Sequence, residues 1–246
     1  MNLSGVHPLQ AVSIVKHLVN RIILSKTAAK TLIRPILRLH SQCYKWAGRY
    51  AVILNDGVHP KHHLIRYKEW FVENIERRWT ILDVGCGAGA MPELLAQKAV
   101  FVYGIEIDKD RVAIAQAERS GPNIEYICGD AATYNYDLPR PIHCVTMSNV
   151  LEHIEHRVEF LKRLDRVVKW ADRNHRFFLF RVPAIDREWI VLYKKELGVD
   201  YRLDPTHRVE YTLEHFEREL NLASLVIRKV KACFGEIYAV CEAVSP

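Results

Sequence analysis

The feature of this sequence that most constrains its fold is a regular alternation of apolar runs with helical stretches, which begins at residue 79. Apolar runs lie at 80–84, 100–106, 123–128, 142–148 and 176–182, and helices are predicted at about 90–98, 109–119 and 157–172. Repeated strand–helix units predict a parallel sheet with right-handed crossovers. The closing runs 225–231 and 236–244 predict a hairpin about Phe234-Gly235, which adds one antiparallel strand.

A basic arm precedes this alternation. The 246 residues have a formal net charge of +6, yet residues 1–55 hold eight Lys and Arg and no Asp or Glu. Residues 56–246 hold 27 basic and 29 acidic residues, so the body of the chain is close to neutral. The charge therefore disfavours nucleic acid as the partner of the body. We expect an arm at 1–55 and a domain at 56–246, with a cap insertion at 184–212.

The arm is predicted to be helical in three stretches. The first carries an apolar face of Val12, Val15, Val19 and Ile22. The second, at about 28–40, contains Pro35, which predicts a kink or two pieces. The third holds Tyr44, Trp46 and Tyr50. Such an arm suits a helical cap on the sheet or on a second subunit, or a contact with an anionic membrane face or a polyanionic substrate.

The compartment follows from the cysteines and the hydropathy. None of the six cysteines forms a C-x-x-C pair, and we expect reduced thiols and a cytoplasmic location. No run reaches the 18 or so apolar residues that a membrane span needs. The first basic residue, Lys16, interrupts the apolar stretch, unlike the order of a signal peptide.

A glycine-rich loop follows the first strand, with the sequence Asp83-Val84-Gly85-Cys86-Gly87-Ala88-Gly89. Glycines at such a turn permit positive φ and let a ligand approach the backbone closely. The spacing Gly85-x-Gly87-x-x-Ala90 also satisfies the dinucleotide fingerprint, so the glycines alone leave a dehydrogenase open.

Asp83 helps to choose between a dinucleotide and S-adenosylmethionine as the cofactor. A carboxylate beside the loop would repel the pyrophosphate of a dinucleotide, which sits at the helix N-terminus. S-adenosylmethionine instead brings an ammonium and a sulfonium. One favourable pair near 5 Å is worth about 3 kcal/mol at an effective dielectric constant of 20, before desolvation. Asp83 therefore favours the cationic cofactor.

The next two strands end in further carboxylates. Glu106 lies about 20 residues past the loop, where a carboxylate can accept hydrogen bonds from both ribose hydroxyls. Ile107 is placed to pack on the adenine face. Asp130 can accept from the adenine amino group while the Ala131 N–H donates to a ring nitrogen, although Asp130 could equally cap a helix.

These motifs, together with Ser148-Asn149-Val150-Leu151-Glu152-His153, resemble those of class I S-adenosylmethionine-dependent methyltransferases, a broad group that includes quinone-biosynthesis enzymes. The resemblance covers about 60–244. It implies an α/β, Rossmann-like fold: a seven-stranded, mostly parallel sheet with an antiparallel last strand and helices on both faces. It also implies cofactor contacts at Asp83, Gly85, Gly87, Glu106, Ile107, Asp130 and Ala131, to which we add Ser148. The stretch His59–Arg66 has a softer likeness to methyltransferases of bacterial surface polysaccharides.

The segment after the fourth strand supplies the candidate reaction centre. If it is helical, Asn149, Glu152 and His153 share one face. Methyl transfer to a hydroxyl needs a base beside the acceptor, and histidine suits that role. His153 or His207 is the candidate base, with Glu152 orienting it and Asn149 contacting the substrate. Local capping and pairing of Glu152 and His153 is the structural alternative.

A second resemblance concerns a metal. Small-RNA 3′-terminal 2′-O-methyltransferases bind a divalent metal through Glu-x-x-Glu-His and a distant histidine. This chain has Asn149-x-x-Glu152-His153 and His207, so the first carboxylate of that motif is missing. We therefore predict a metal-free acid–base or substrate-orienting cluster and no metal.

The cap insertion carries the remaining candidates. Trp189, Tyr193 and Tyr211 are predicted to contact the substrate, or else to pack the cap. Residues 184–212 hold five Lys and Arg and six Asp and Glu, which is not a phosphate-tracking surface. Lys61 or Arg66 is a candidate partner of the cofactor's carboxylate, with a solvated charge as the alternative.

The leading hypothesis is a methyltransferase that acts on an oxygen, in preference to a nitrogen, of a small molecule or glycan precursor. An RNA methyltransferase that uses the basic arm is the second hypothesis, and a non-catalytic cofactor-binding scaffold is the third. The sequence does not distinguish them at the level of the acceptor.

Overall fold

The structure is a computed structural model that describes residues 24–244. These residues form two compact units. The smaller unit holds residues 24–57 together with Tyr193–Tyr201, and the larger holds Val58–Leu192 together with 202–244. The helix predicted around Val12–Ile22 lies outside the described residues. No helix among the described residues is long and apolar enough to cross a membrane.

The smaller unit is built on one long helix, α1 (Lys26–Leu54), whose N-cap Ser25 accepts a hydrogen bond from the Ala28 N–H. Of the two alternatives at Pro35, the division into two pieces is wrong, and so is the separate third helix, because α1 runs through both. Proline removes one backbone donor but its φ is compatible with a helix, so the chain continues. Arg34 Nε donates to the Leu197 carbonyl at 3.1 Å, which ties α1 to the 193–201 segment.

The larger unit contains a seven-stranded sheet in the order β3-β2-β1-β4-β5-β7-β6. β7 runs antiparallel to both of its neighbours, β5 and β6, while the other neighbouring pairs of this sheet are parallel. The predicted fold class is therefore confirmed. The strands are β1 (Thr80–Val84), β2 (Phe101–Glu106), β3 (Ile124–Cys128), β4 (Cys144–Ser148), β5 (Phe177–Pro183), β6 (Leu225–Cys233) and β7 (Glu236–Ala243).

Helices surround the sheet, and most lie where the sequence predicts them. In chain order they are α2 (Pro60–Ile65), α3 (Tyr67–Glu73), α4 (Ala90–Ala96), α5 (Lys109–Glu118), α6 (Arg157–Val167), α7 (Trp189–Glu196) and α8 (Leu213–Leu222). Thr212 caps α8 by accepting from the His215 N–H. The segment 184–212, given above as a cap insertion, contains α7 and a 3₁₀ turn at Ile185–Arg187.

The core explains why polar side chains gather at one edge of the sheet. All five residues of β1 are buried, and the central strands are covered on both faces. Parallel strands end at the same edge, so β1, β2, β3, β4 and β5 all deliver their following loops there. Because β7 is antiparallel, its first residue, Glu236, reaches that edge as well.

Candidate active site

The glycine loop is shaped by its neighbours and leaves room for a ligand. Gly85 and Gly87 have φ of +70° and +56°. A Cβ on Gly85 would lie 2.4 Å from Val150 Cγ2, so the loop abuts the segment that follows β4. A Cβ on Gly87 would meet nothing within 4 Å. Gly85 is therefore needed for packing, whereas the backbone of Gly87 faces open space.

Glu106, at the end of β2, is fixed by the backbone. Its Oε2 accepts from the Gly87 N–H at 2.9 Å and its Oε1 from the Asp108 N–H at 3.0 Å. The sequence did not predict these two contacts. A carboxylate oxygen has two acceptor sites, so each oxygen can still accept a ligand hydroxyl. Glu106 thus closes the glycine loop and keeps the capacity predicted for it.

Asp83 is almost fully buried in β1, with 2 % of its surface exposed. The Thr146 hydroxyl on β4 donates to its Oδ1 at 2.5 Å. Burial raises the pKa of Asp83 to about 7, against the opposing effect of the Thr146 hydrogen bond. A cation bound nearby would stabilise the ionised form and lower that pKa.

The other predicted cofactor residues lie at the same edge. Ile107 is 69 % exposed, in keeping with a face left for a ring. Asp130 Oδ1 accepts from the Ala132 N–H at 2.9 Å, so this carboxylate also closes a turn. That contact resembles the helix-capping role that was the alternative to binding adenine. The Ala131 carbonyl accepts from the Tyr136 hydroxyl at 2.8 Å. Ser148 Oγ accepts from Arg181 at 3.2 Å.

Arg181 belongs to a buried charged group that the sequence patterns do not reveal. Arg181 on β5 donates to both oxygens of Glu236 at 2.9 Å, and Lys61 Nζ lies 2.7 Å from Glu236 Oε1. The Arg181 guanidinium stacks on Tyr67 at 3.9 Å from the ring centroid. Lys61 was a candidate partner of the cofactor's carboxylate. Its partner in the structure is Glu236, a carboxylate on a strand far away in sequence. The group holds two cations for one carboxylate.

The segment after β4 is a tight turn and not the helix that would place its polar residues on one face. Asn149 has φ of +55° and precedes a 3₁₀ turn at Leu151–His153. Glu152 is completely buried, and neither of its carboxylate oxygens has a hydrogen-bond partner within the described structure. The buried Asn149 Oδ1 is also unpartnered there. Burying polar atoms without partners is costly, and they mark places where ligands bind.

His207 brings a distant loop to Glu152. Its Nε2 lies 3.9 Å from Glu152 Oε1, and its Nδ1 lies 3.2 Å from Glu210 Oε1. The pKa of Glu210 is lowered by the His207 and Arg187 hydrogen bonds in spite of its burial, so this carboxylate accepts and the His207 Nδ1 donates. With Nδ1 donating to Glu210, Nε2 is the ring nitrogen that is left on the side of Glu152. Glu210 was not predicted, although it follows His207 by three residues.

His153 completes the cluster. The ring centroids of His153 and His207 are 4.9 Å apart, and His153 Nδ1 lies 3.0 Å from Thr206 Oγ1. Burial, with the neighbouring His207, lowers the pKa of His153, and burial raises the pKa of Glu152 to about 7. Ligand atoms of Glu152, His153 and His207 all lie within 4.8 Å of one another, a spacing that could hold a metal ion.

The three predicted aromatic substrate contacts differ in their burial. Trp189 is 74 % exposed at the start of α7. Tyr193 belongs to the smaller unit. Tyr211 is fully buried because its backbone pairs with that of Ala184 at the end of β5. Its hydroxyl donates to Glu219 Oε2 at 2.8 Å. Its placement fits the packing alternative.

Comparison with known proteins identifies one domain. Residues 81–170 match a family model described as a methyltransferase domain. A ubiquinone biosynthesis O-methyltransferase from Pseudomonas fluorescens is 31 % identical over 116 residues, which are 43 % of this chain and 50 % of that protein. A probable ribosomal RNA small subunit methyltransferase A from Thermococcus gammatolerans is 33 % identical over 119 residues, 43 % of this chain and 42 % of that protein.

Solved structures share the fold of this chain. Magnesium protoporphyrin IX methyltransferase from Synechocystis, with bound S-adenosylhomocysteine, gives a TM-score of 0.54 at 18 % identity, over 73 % of this chain and 81 % of that one. The chain spans about half the length, or less, of the curated relatives that it matches. S-adenosylmethionine is the cofactor of such methyltransferases, and the open space at Gly87, the buried Asp83 and the free acceptor sites of Glu106 fit it.

Proposed function

We propose that this protein transfers the methyl group of S-adenosylmethionine to an oxygen of a small-molecule or glycan-type acceptor. When bound, the cofactor supplies an electrophilic methyl group, and the protein must orient the acceptor and remove its proton. The observation that carries the proposal is the position of His207. Its Nε2 faces the unpartnered carboxylate of Glu152, on a segment that abuts the glycine loop through Val150 and Gly85.

His207 is the proposed general base. Glu210 fixes the tautomer by accepting from Nδ1, and this leaves Nε2 able to take the acceptor's hydroxyl proton. The bound cofactor would supply the methyl group to the acceptor oxygen, and His207 would hold the proton that the acceptor hydroxyl gives up. Glu152 faces the imidazolium so formed and stabilises it. His153, on the other side of the His207 ring, is the second proton acceptor of the cluster.

The chain's own residues also suffice to hold the cofactor. Glu106 would accept from the ribose hydroxyls, and Asp83 would lie beside the cationic end. Lys61 and Arg181 share one carboxylate, Glu236, and Arg181 also donates to Ser148 at the end of β4. The excess positive charge of this group suits the carboxylate of the cofactor's methionine part.

The choice of an oxygen acceptor draws on the base and on the relatives. A nitrogen acceptor with a free lone pair needs no base to attack, whereas a hydroxyl does. The ubiquinone biosynthesis relatives are described as O-methyltransferases. An RNA acceptor is the alternative, supported by the archaeal ribosomal RNA relative and by the basic arm.

Incubation with S-adenosylmethionine labelled in its methyl group tests the proposal. Label should pass from the cofactor to catechols, hydroxylated quinone precursors or sugar nucleotides, and the product should resist nuclease. The variant His207→Gln should abolish transfer while binding S-adenosylhomocysteine as wild type does. Label found in nuclease-sensitive RNA, with binding that falls steeply as salt rises, would select the RNA alternative. Cofactor binding without transfer to any acceptor would select the scaffold.

A further inference from the structure

The long helix α1 carries an apolar stripe that stays exposed among the residues that the structure describes. Its members succeed one another at intervals that alternate strictly between four and three residues: Leu32, Ile36, Leu39, Cys43, Trp46, Tyr50 and Ile53. Six of the seven are large apolar residues exposed by 41–70 %, and Cys43 is exposed too. We call these seven residues the α1 stripe. At 1.5 Å per residue it is about 32 Å long.

The stripe is distinct from the face that α1 buries. Leu37 is the one fully buried residue of the helix, and Ile33 and Ser41, four residues to either side of it, are half-buried. At 100° per residue this buried line lies about 140° around the helix from the stripe. Around Leu37, helix α1 therefore has two apolar sides, of which one is covered and the other is exposed, while Tyr44 farther along the covered side is 58 % exposed.

The spacing of the stripe indicates what would cover it. Intervals of four and three make a repeat of 3.5 residues per turn, which is the period of two helices wound around one another. A membrane surface sets no such period, because it accepts any broad apolar face. In heptad terms Ile36 occupies an a position and Leu39 a d position, the combination that favours two strands.

The charges of α1 point in the same direction. The helix has six basic residues and no acidic one. Within the stripe's length, Arg34, Arg38 and Lys45 fall at f and c positions, outside the contact surface of a coiled coil, and Arg49 alone flanks the stripe. Two copies of α1 could thus meet along the stripe without bringing like charges face to face. A membrane-binding helix would gain most from basic residues on both flanks of its apolar face.

We propose that the α1 stripe is a self-association surface, through which two copies of this chain pair as a symmetric dimer. The partner is a second copy because the surface is self-complementary: apolar, of coiled-coil period, and free of charge at its centre. The proposal concerns residues 24–57 and does not depend on the methyl acceptor. The alternatives are an anionic membrane and the chain's own residues 1–23.

Light scattering coupled to size exclusion tests the proposal on the full chain. The wild type should have twice the mass of the 28.6 kDa chain at tens of micromolar. Trp46→Glu should shift it to the monomer. Lys45→Gln, the adjacent c position, lowers the charge by the same single unit and should leave the dimer intact. Both variants should keep wild-type circular dichroism and S-adenosylhomocysteine affinity. If Trp46→Glu alone loses its fold, Leu39→Gln replaces it.

Cys43 gives a second, independent readout. It lies at the middle of the α1 stripe, so symmetric pairing in either direction brings the two Cys43 side chains close together. A short bismaleimide should link wild-type chains into a covalent dimer. Cys43→Ser should lose that product, and Cys43→Ser with Lys45→Cys should not recover it. These reactions are run in a Cys128→Ser background, since Cys128 is exposed as well.

A monomeric wild type would overturn the proposal. So would a dimer that persists in both Trp46→Glu and Leu39→Gln, since the contact would then lie elsewhere. A monomer that binds vesicles of anionic lipid, with binding lost in Trp46→Glu, would assign the stripe to a membrane surface. A monomer whose Cys43 resists maleimide until residues 1–23 are removed would assign it to the chain's own N-terminal segment.

Discussion

Two parts of the sheet edge differ in how complete they are. At the glycine loop, Glu106 accepts from two backbone N–H groups and Asp83 accepts from Thr146. At the turn after β4, Glu152 and Asn149 are buried with oxygens that have no partner in the described structure. In the first part, which we call the scaffold, the carboxylates are hydrogen-bonded within the protein. The second part, the uncompensated part, carries buried polar atoms without partners. Such atoms are energetically unfavourable, and they are available to an acceptor, a proton or a cation.

The largest expected effect tests the uncompensated part. His207→Gln removes the proposed base, and kcat should fall by about 10²–10⁴-fold, the range for general-base catalysis. Affinity for S-adenosylhomocysteine should not change, because His207 lies outside the scaffold. His156→Gln, an exposed histidine three residues past His153, is the matched control and should retain kcat. A parallel loss of affinity and rate would mean that the two parts are not separate.

The scaffold is tested by Glu106→Ala. The variant loses the acceptor of the Gly87 N–H and the proposed acceptors of the ribose hydroxyls, so the Kd for S-adenosylhomocysteine should rise by about 100-fold, as expected for loss of charge-assisted hydrogen bonds. Glu125→Ala on β3, which removes an exposed carboxylate, is the control. Calorimetry gives both values. An unchanged Kd in Glu106→Ala would remove this residue from the cofactor site.

Asp83 predicts a pH dependence of binding. With its pKa raised to about 7 in the free protein, a cationic ligand binds best when Asp83 is ionised. Affinity for S-adenosylhomocysteine should therefore increase by about tenfold from pH 6 to pH 8 and then level off. Binding at pH 6 should release a proton, seen as a dependence of the calorimetric enthalpy on the buffer. Asp83→Asn should bind more weakly at pH 8 and show neither effect, and a slope retained in that variant would place the titrating group elsewhere.

The smallest expected effect is one of stability. Burial raises the pKa of Glu152 to about 7, above its value of 4.5 in an unfolded chain. The native state therefore holds this proton more tightly, and stability falls as pH rises from about 4.5 to 7. At pH 8, Glu152→Gln should be more stable than wild type by about 1–3 kcal/mol of unfolding free energy, and it should therefore unfold at a higher temperature. At pH 4.5 the variant and the wild type should unfold at the same temperature. Thermal melts at the two pH values make the comparison.

The same melts can report on a metal. If Mn²⁺ or Mg²⁺ stabilises the wild type at pH 8 but not Glu152→Gln, a cation occupies the site formed by Glu152, His153 and His207. No stabilisation at millimolar metal would favour the metal-free base. Leu151 and Val150 position Glu152 by local turn geometry, so the amide variant should leave the turn itself intact.

The sequence predicts the glycine-loop part of the site better than the parts that distant elements build. The strands and the glycine loop follow from local patterns, and Asp83 and Glu106 are reached by counting from that loop. Glu210, Arg181 and Glu236 act through partners on distant elements, and a spacing rule cannot pair them. Helix α1 is not divided into two pieces at Pro35 because one missing donor does not outweigh the neighbouring helical turns. The helical condition set for the segment after β4 is not met because Asn149 adopts a positive φ, which few residues other than glycine do.

The reversed direction of β7 has a consequence for how such a site can change. A parallel strand reaches the loop edge only after a crossover of a dozen or more residues. Strand β6 ends at that edge, and the hairpin turns the chain back there through the two residues Phe234 and Gly235, which sets Glu236 against Arg181 and Lys61. The Gly235 carbonyl accepts from the Ala184 N–H at 2.8 Å, so the hairpin tip also supports the end of β5. A change at Glu236, the residue that follows that tip, would alter the charge balance beside Ser148 at a position that lies in a strand and in no helix.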